Sequence, residues 1–168
     1  MHHERVHEQT ERFREITTFG VIPSPSGAGT LVLQGEGYPD CLLVMEVFSE
    51  TDRSNEIAIV TVKGCQQAIF GYPNDEAYAR DPRGRAGDEP SYGFFEVLSS
   101  TWAQRLAEYN RHAFPSTSVE PWRALRHFFI GCHDDSGEFL GESLHIELPG
   151  TDFQTTAQHA FERFFQPN

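Results

Sequence analysis

"TLVLQGEGYPDCLLVMEVFSETDRSNEIAIVTV", Thr30 to Val62, is the stretch that decides the fold class. It holds three runs, TLVLQ, CLLVMEVF and EIAIVTV, rich in the Val, Ile and Leu side chains that suit a pleated surface. GEGYPD and SETDRSN between them are turn-type clusters, so the runs are expected to pair as antiparallel strands. CQQAIFG, from Cys65, adds a fourth strand after a break at Gly64.

Outward from this core the period changes. Residues up to about Phe19 place Val6, Thr10, Phe13 and Ile16 or Thr17 roughly on one helical face, which predicts an N-terminal helical arm over 1–19. IPSPSGAG then breaks the helix. On the other side, residues 72–92 form a long polar tract, whose Arg80, Arg83 and Arg85 are the one local cluster of positive charge. The cluster is a candidate anion-binding site, set against a solvated loop. GFFEVLS, from Gly93, returns to strand composition, and Thr101 with Gln104 makes a capping-box pattern for a helix over about 100–111. Thr151 with Gln154 repeats the pattern ahead of Phe153, Ala157, Phe161, Phe164 and Phe165, the strongest helical stripe in the chain. The expectation is an α+β fold in one domain, 1–168: a mostly antiparallel sheet of six to eight strands, open to barrel-like closure, with a mid-chain and a C-terminal helix packed on it.

The chain has 168 residues, with 13 Lys and Arg against 25 Asp and Glu, for a net charge of −12. Such a field repels nucleic-acid phosphates and anionic membrane and attracts a basic partner. Cys41, Cys65 and Cys132 are odd in number, far apart and set in apolar stretches, which reads as reduced core thiols of a cytoplasmic protein. The opening residues lack an apolar signal core, and no apolar run has the length of a membrane span.

RHFFIGCHDDSGEFLGESLHIEL, Arg126 to Leu148, carries His127, His133 and His145 among five carboxylates. DDSG, Asp134 to Gly137, suits a type I turn with a glycine after it, so the flanking strands should form a hairpin with His127 opposite Leu144 and Phe129 opposite Glu142. Strand alternation then sends His145 to the other face and sets His127 roughly 20 Å from His133, at about 3.3 Å per residue. No shared metal ion, and no cofactor, is expected, because neither C-x-x-C nor H-E-x-x-H spacing occurs. What the register leaves is His127 one cross-strand diagonal from Glu142. Glu46 in LLVMEVF and Glu96 in GFFEVL also interrupt apolar strands. Glu46, Glu96, His127 and Glu142 are therefore the candidate acid/base residues, should the strands bring them together, set against each carboxylate pointing outward or pairing with an arginine. His133 and Glu138 read as an exposed pair beside the turn. Phosphate-loop, dinucleotide and nucleophile-elbow motifs are absent.

FGYPNDEAY (Phe70–Tyr78), YGFFEVLSSTW (Tyr92–Trp102), NRHAFP and LRHFFIGCHD resemble a family of small, uncharacterised bacterial single-domain proteins, over roughly the second half of the chain. The resemblance implies a bacterial cytosolic origin and an antiparallel sheet domain, and carries no catalytic role. Where that pattern has Thr or Phe soon after the HD pair, this chain has DSG.

Three functional readings stand at this level. The first is an acidic protein-interaction module, such as an immunity or inhibitor protein, binding a basic partner. The second is an enzyme or small-ligand binder using Glu46, Glu96 and His127, with the Arg80–Arg85 cluster holding an anion. The third is a structural subunit of a homo-oligomer.

Overall fold

Cys41 to Ser49 is apolar without alternation as far as Met45, because both faces of that part are covered. Cys41, Leu43, Met45 and Val47 point into the main core, while Leu42 and Val44 lie beneath a helix. In the computed structural model, which describes residues 10–26, 29–84, 92–118 and 120–166, this segment is one strand of a two-sheet α+β structure. The first elements are β1 (Arg12–Glu15), β2 (Val21–Pro23), β3 (Leu31–Leu33), β4 (Cys41–Ser49), β5 (Ser54–Lys63), β6 (Gln67–Gly71) and the short α1 (Asp75–Tyr78). Then come β7 (Gly93–Leu98), α2 (Thr101–Ala113), α3 (Glu120–Arg123), β8 (Arg126–Gly131), β9 (Ser136–Gly141), β10 (Ser143–Glu147) and α4 (Phe153–Phe164).

The first sheet runs β1-β7-β8-β9-β6 and the second β10-β5-β4-β2, with β3 also on β4; all pairings are antiparallel, and one sheet curls into a half-barrel. The runs of the Thr30–Val62 stretch pair as read, β3 to β4 and β4 to β5. Between the sheets Leu43, Met45 and Val60 meet Phe94, Phe128, Ile130 and Phe139, all fully or almost fully buried. Each such side chain contributes about 1.5–3 kcal/mol over its exposed state, so this layer dominates the cohesion of the fold. Helix α4 covers the outer face of the second sheet through Ala160 and Phe164. No helix among the described residues is long and apolar enough to cross a membrane.

Several expectations are corrected. The helical arm over 1–19 lies partly outside the described residues, and where it is described, Arg12–Glu15 is a strand on β7. Its RFRE pattern has period two: Phe13 packs with Phe95 and Phe129 on one face, and Arg14 meets Glu96 on the other. Both helix caps fall one residue from the predicted box. Ser100 caps α2 by accepting from the Ala103 N–H, and Asp152 caps α4 by accepting from the Thr155 N–H. The α4 stripe is also rotated: Thr156, Ala160 and Phe164 face the sheet, while Phe161 and Phe165 stay exposed.

The hairpin register differs by four residues. His127 lies opposite Leu140 and Phe129 opposite Glu138, because the turn is Cys132–Asp135, closed by the Cys132 N–H donating to the Asp135 carbonyl at 3.0 Å. Gly137 is in the strand. A Cβ there would sit 2.6 Å from the Phe139 ring and 2.9 Å from Phe70, so this glycine serves close packing and not a turn. The predicted return strand is then cut at Gly141–Glu142. Gly141 lies against Val62 and the Lys63 carbonyl, and the chain crosses there into the second sheet as β10.

Candidate functional site

Alternation along β8 sends Phe128 and Ile130 inward and His127 and Phe129 outward. Beneath the outer face, His127 is 2% exposed. Its Nε2 lies 2.6 Å from Glu138 Oε2, and its Nδ1 lies 2.9 Å from the hydroxyl of the capping Ser100. Trp102, in the first turn of α2, packs edge-on against the imidazole, with ring centroids 5.1 Å apart. A carboxylate only accepts, so Nε2 carries the hydrogen bonded to Glu138; in the neutral ring Nδ1 accepts from the Ser100 O–H.

Glu138 is held from a second side by Arg83, whose two terminal nitrogens donate at 2.7 and 3.0 Å. Arg83 donates in turn to Asp81 and lies over the Phe13 ring, 4.9 Å from its centroid. Burial alone would raise the Glu138 carboxyl, but the hydrogen bonds from His127 and Arg83 reverse that and hold it down at about 2. Burial likewise works against the Arg83 charge, and Asp81 and Glu138 overcome it, keeping the guanidinium above its ordinary pKa. The result is a chain from Ser100 through His127, Glu138 and Arg83 to Asp81, which fixes α2 and the 79–84 segment to the sheet.

The predicted acid/base set is not brought together. Glu96 points to the opposite face of the sheet from His127, as its pairing with Phe128 and Arg14 requires. There Arg126 donates to both Glu96 oxygens at 2.9 and 2.7 Å, and Arg14 joins them. The Arg126 hydrogen bonds, helped by Arg14, keep Glu96 below the usual carboxylate range against the effect of burial, so it serves as an ion-pair anchor and not a tuned acid. Glu46 lies in the second sheet, accepting from Ser26 and Asn55. Glu142 is exposed at the β9–β10 break, packed on Gly64. Of the anion cluster, Arg83 is paired with two carboxylates, Arg80 is exposed, and Arg85 lies outside the described residues. His133 bonds Asp134, and His145 bonds Ser143, so neither joins His127. Ser100 and Asp81 are the residues that sequence reasoning missed, and the expected exposed pair of His133 with Glu138 is corrected: Glu138 bonds His127, and His133 bonds Asp134.

Beside this network lies the edge of β6. Ile69 is opposite Glu138 and points to the same outer face; it is 62% exposed, and the adjoining Tyr72 is 80% exposed. Gln67 accepts from the Trp102 indole N–H at 2.7 Å, tying the edge to α2. From Gly64 to Pro73 the sequence has no charged residue. Acidic groups gather at the far end, where the Asp75 N–H donates to the His133 carbonyl next to the exposed Asp134. A hydrogen bond from Tyr92 keeps Asp75 ionised, below its ordinary pKa.

Compared with models of known families, with curated proteins and with solved structures, the chain matches none.

Proposed function

We infer that the protein is a small acidic partner-binding module that receives an extended, basic segment along the open edge of β6. The observation that carries this reading is the contrast among the sheet edges. Edge strands attract foreign strands, and folds guard them with charge, proline, shortness or a covering element. β1 carries Arg12, Arg14 and Glu15; β10 carries Glu147; β2 is three residues ending in Pro23; and β3 is three residues packed under α4. β6, by contrast, is five residues long, uncharged, and pairs on one side with β9, with no strand on its other side among the described residues.

An added strand takes its affinity from main-chain hydrogen bonds and its specificity from alternate side chains. Here the anchors are Ile69, Tyr72 and the Trp102 ring, and Asp75, Glu76 and Asp134 favour a basic residue at the Gly71 end. The net charge of −12 steers a basic partner and disfavours a second copy of the chain. An inhibitor or immunity protein that neutralises a basic partner fits this reading.

The test uses a short amidated peptide alternating Arg and Val. Binding should weaken as salt screens the charges, protect the β6 backbone amides from hydrogen exchange, and drop by about tenfold or more in Ile69→Lys. Protection confined to another element, or equal affinity for Ile69→Lys, would overturn it. Dimerisation through β6 in light scattering would replace the basic partner with a second copy.

A further inference from the structure

We propose that Ser100 is the nucleophile of an ester-hydrolysing centre in which His127 is the base and Glu138 the positioning residue. This is independent of the β6 edge and rests on three observations. Hydroxyl, imidazole and carboxylate are joined in order, at 2.9 and 2.6 Å, the connectivity that activates a serine. The imidazole is turned round relative to the protease arrangement, Nδ1 meeting the hydroxyl and Nε2 the carboxylate, and the proton logic is unchanged. Ser100 and His127 also line a groove of about 250 Å³ between α2 and the α3–β8 segment, with Leu98, Ala103, Ala107 and Trp122 along its walls and Arg123 at its rim. Finally, Ser100 stands where β7 turns directly into α2, just after Ser99 with φ +59°. That places its oxygen at the positive end of a 13-residue helix, with the Ala103 N–H donating to it at 3.1 Å.

The groove fits a short-chain carboxylic ester with its acyl part against the alanines. The Ser100 oxygen bonds to the ester carbonyl carbon as its proton passes to His127 Nδ1. Glu138 holds the Nε2–H and offsets the imidazolium charge, and Arg83 and Asp81 fix Glu138. The carbonyl carbon to alkoxy oxygen bond then breaks, the leaving oxygen takes the proton from Nδ1, and an acyl-serine remains. Water next gives a proton to Nδ1 while its oxygen attacks the acyl carbon. The bond from the acyl carbon to the Ser100 oxygen then breaks, that oxygen takes the proton back from Nδ1, and the carboxylic acid leaves, so the sum is ester plus water to acid plus alcohol.

The experiment treats the whole chain with a fluorophosphonate probe and with p-nitrophenyl acetate. The key variant is Ser100→Gly, which removes the hydroxyl and keeps an acceptable helix cap, since glycine is among the residues that helix N-caps favour. One adduct per chain, mapped to Ser100, is expected, together with ester turnover at least about tenfold above Ser100→Gly. Glu138→Gln should lower kcat by about tenfold or more at unchanged KM, with Glu138→Asp restoring part of it, a split that a purely structural role would not produce. No adduct on a folded wild-type chain, an adduct at another residue, or turnover equal in Ser100→Gly would overturn the proposal.

Discussion

His127 Nε2 and Glu138 Oε2, 2.6 Å apart across β8 and β9, form the pair that organises the outer face of the first sheet. The carboxylate is one diagonal step from the histidine, because Glu138 stands opposite Phe129, two residues along β8. Three further parts of this face are tied to that step: Ser100 brings α2, Arg83 brings the 79–84 segment, and Trp102 closes over the ring.

Acid should loosen this face. The Glu138 pKa is about 2 in the fold against an ordinary 4.5, so the folded state favours the ionised form. Its contribution is present in full above pH 4.5 and is lost as pH falls from there towards 2. The difference corresponds to about 3 kcal/mol at neutral pH. Urea denaturation at stepped pH should show a slope in this window that Glu138→Gln flattens. An unchanged slope in the variant would mean that another carboxylate carries it.

Removing the histidine should cost more than its hydrogen bonds alone. His127→Ala leaves a cavity beneath Trp102 and takes one partner from both Ser100 and Glu138, for about 2–4 kcal/mol in chemical denaturation. His127→Gln should recover part of that loss, since its amide can still donate to Glu138. Equal losses for the two variants would assign the effect to volume.

The expected site failed for a reason visible in single residues. Period-two alternation correctly placed a carboxylate on the His127 face, because a displacement of four residues preserves which face each side chain takes. It could not choose between Glu142 and Glu138, since that rests on the turn. DDSG resembles a turn as strongly as CHDD, and the preference for CHDD comes from contacts distant in sequence: Gly137 against Phe70 and Gly141 against Val62. The strands Cys41–Ser49 and Ser54–Lys63 were legible because burial on both faces leaves apolar runs inside them, from Cys41 to Met45 and from Ile57 to Val60. Arg12–Glu15 was not, since a four-residue edge strand carries too few positions to outweigh a helical composition. Glu96 read as a buried acid because its guanidinium partners, Arg14 and Arg126, belong to neighbouring strands.

Gly141 is the pivot between the sheets, and it should tolerate no side chain. A Cβ there would lie 2.8 Å from the Lys63 carbonyl and 2.5 Å from the Val62 methyl, and the backbone atom cannot swing away. Gly141→Ala is therefore expected to destabilise by about 1–3 kcal/mol, as overpacking does. Gly20→Ala, where a Cβ meets nothing within 4 Å but φ is +70°, should cost about 1 kcal/mol through backbone strain alone. Thermal melts of the two variants separate steric from conformational cost, and a larger loss at Gly20 would contradict the crossover geometry.

The two arginines on Glu96 should be unequal. Arg126 donates to both carboxylate oxygens and lies over the Phe128 ring, 4.9 Å from its centroid, whereas Arg14 reaches Glu96 through one nitrogen and is the more exposed of the two. A paired two-point contact on a buried carboxylate is worth more than an exposed single one, which is screened by solvent. Arg126→Ala should therefore cost about 2–3 kcal/mol and Arg14→Ala under about 1 kcal/mol. Loss of Arg126 also lets burial push the Glu96 carboxyl up from its lowered position, so the Arg126→Ala penalty should shrink in acid, where Glu96 is protonated in both proteins. Denaturation at neutral and acidic pH measures this directly. A penalty that stays constant with pH would show that Arg126 acts through its packing on Phe128 and not through its charge.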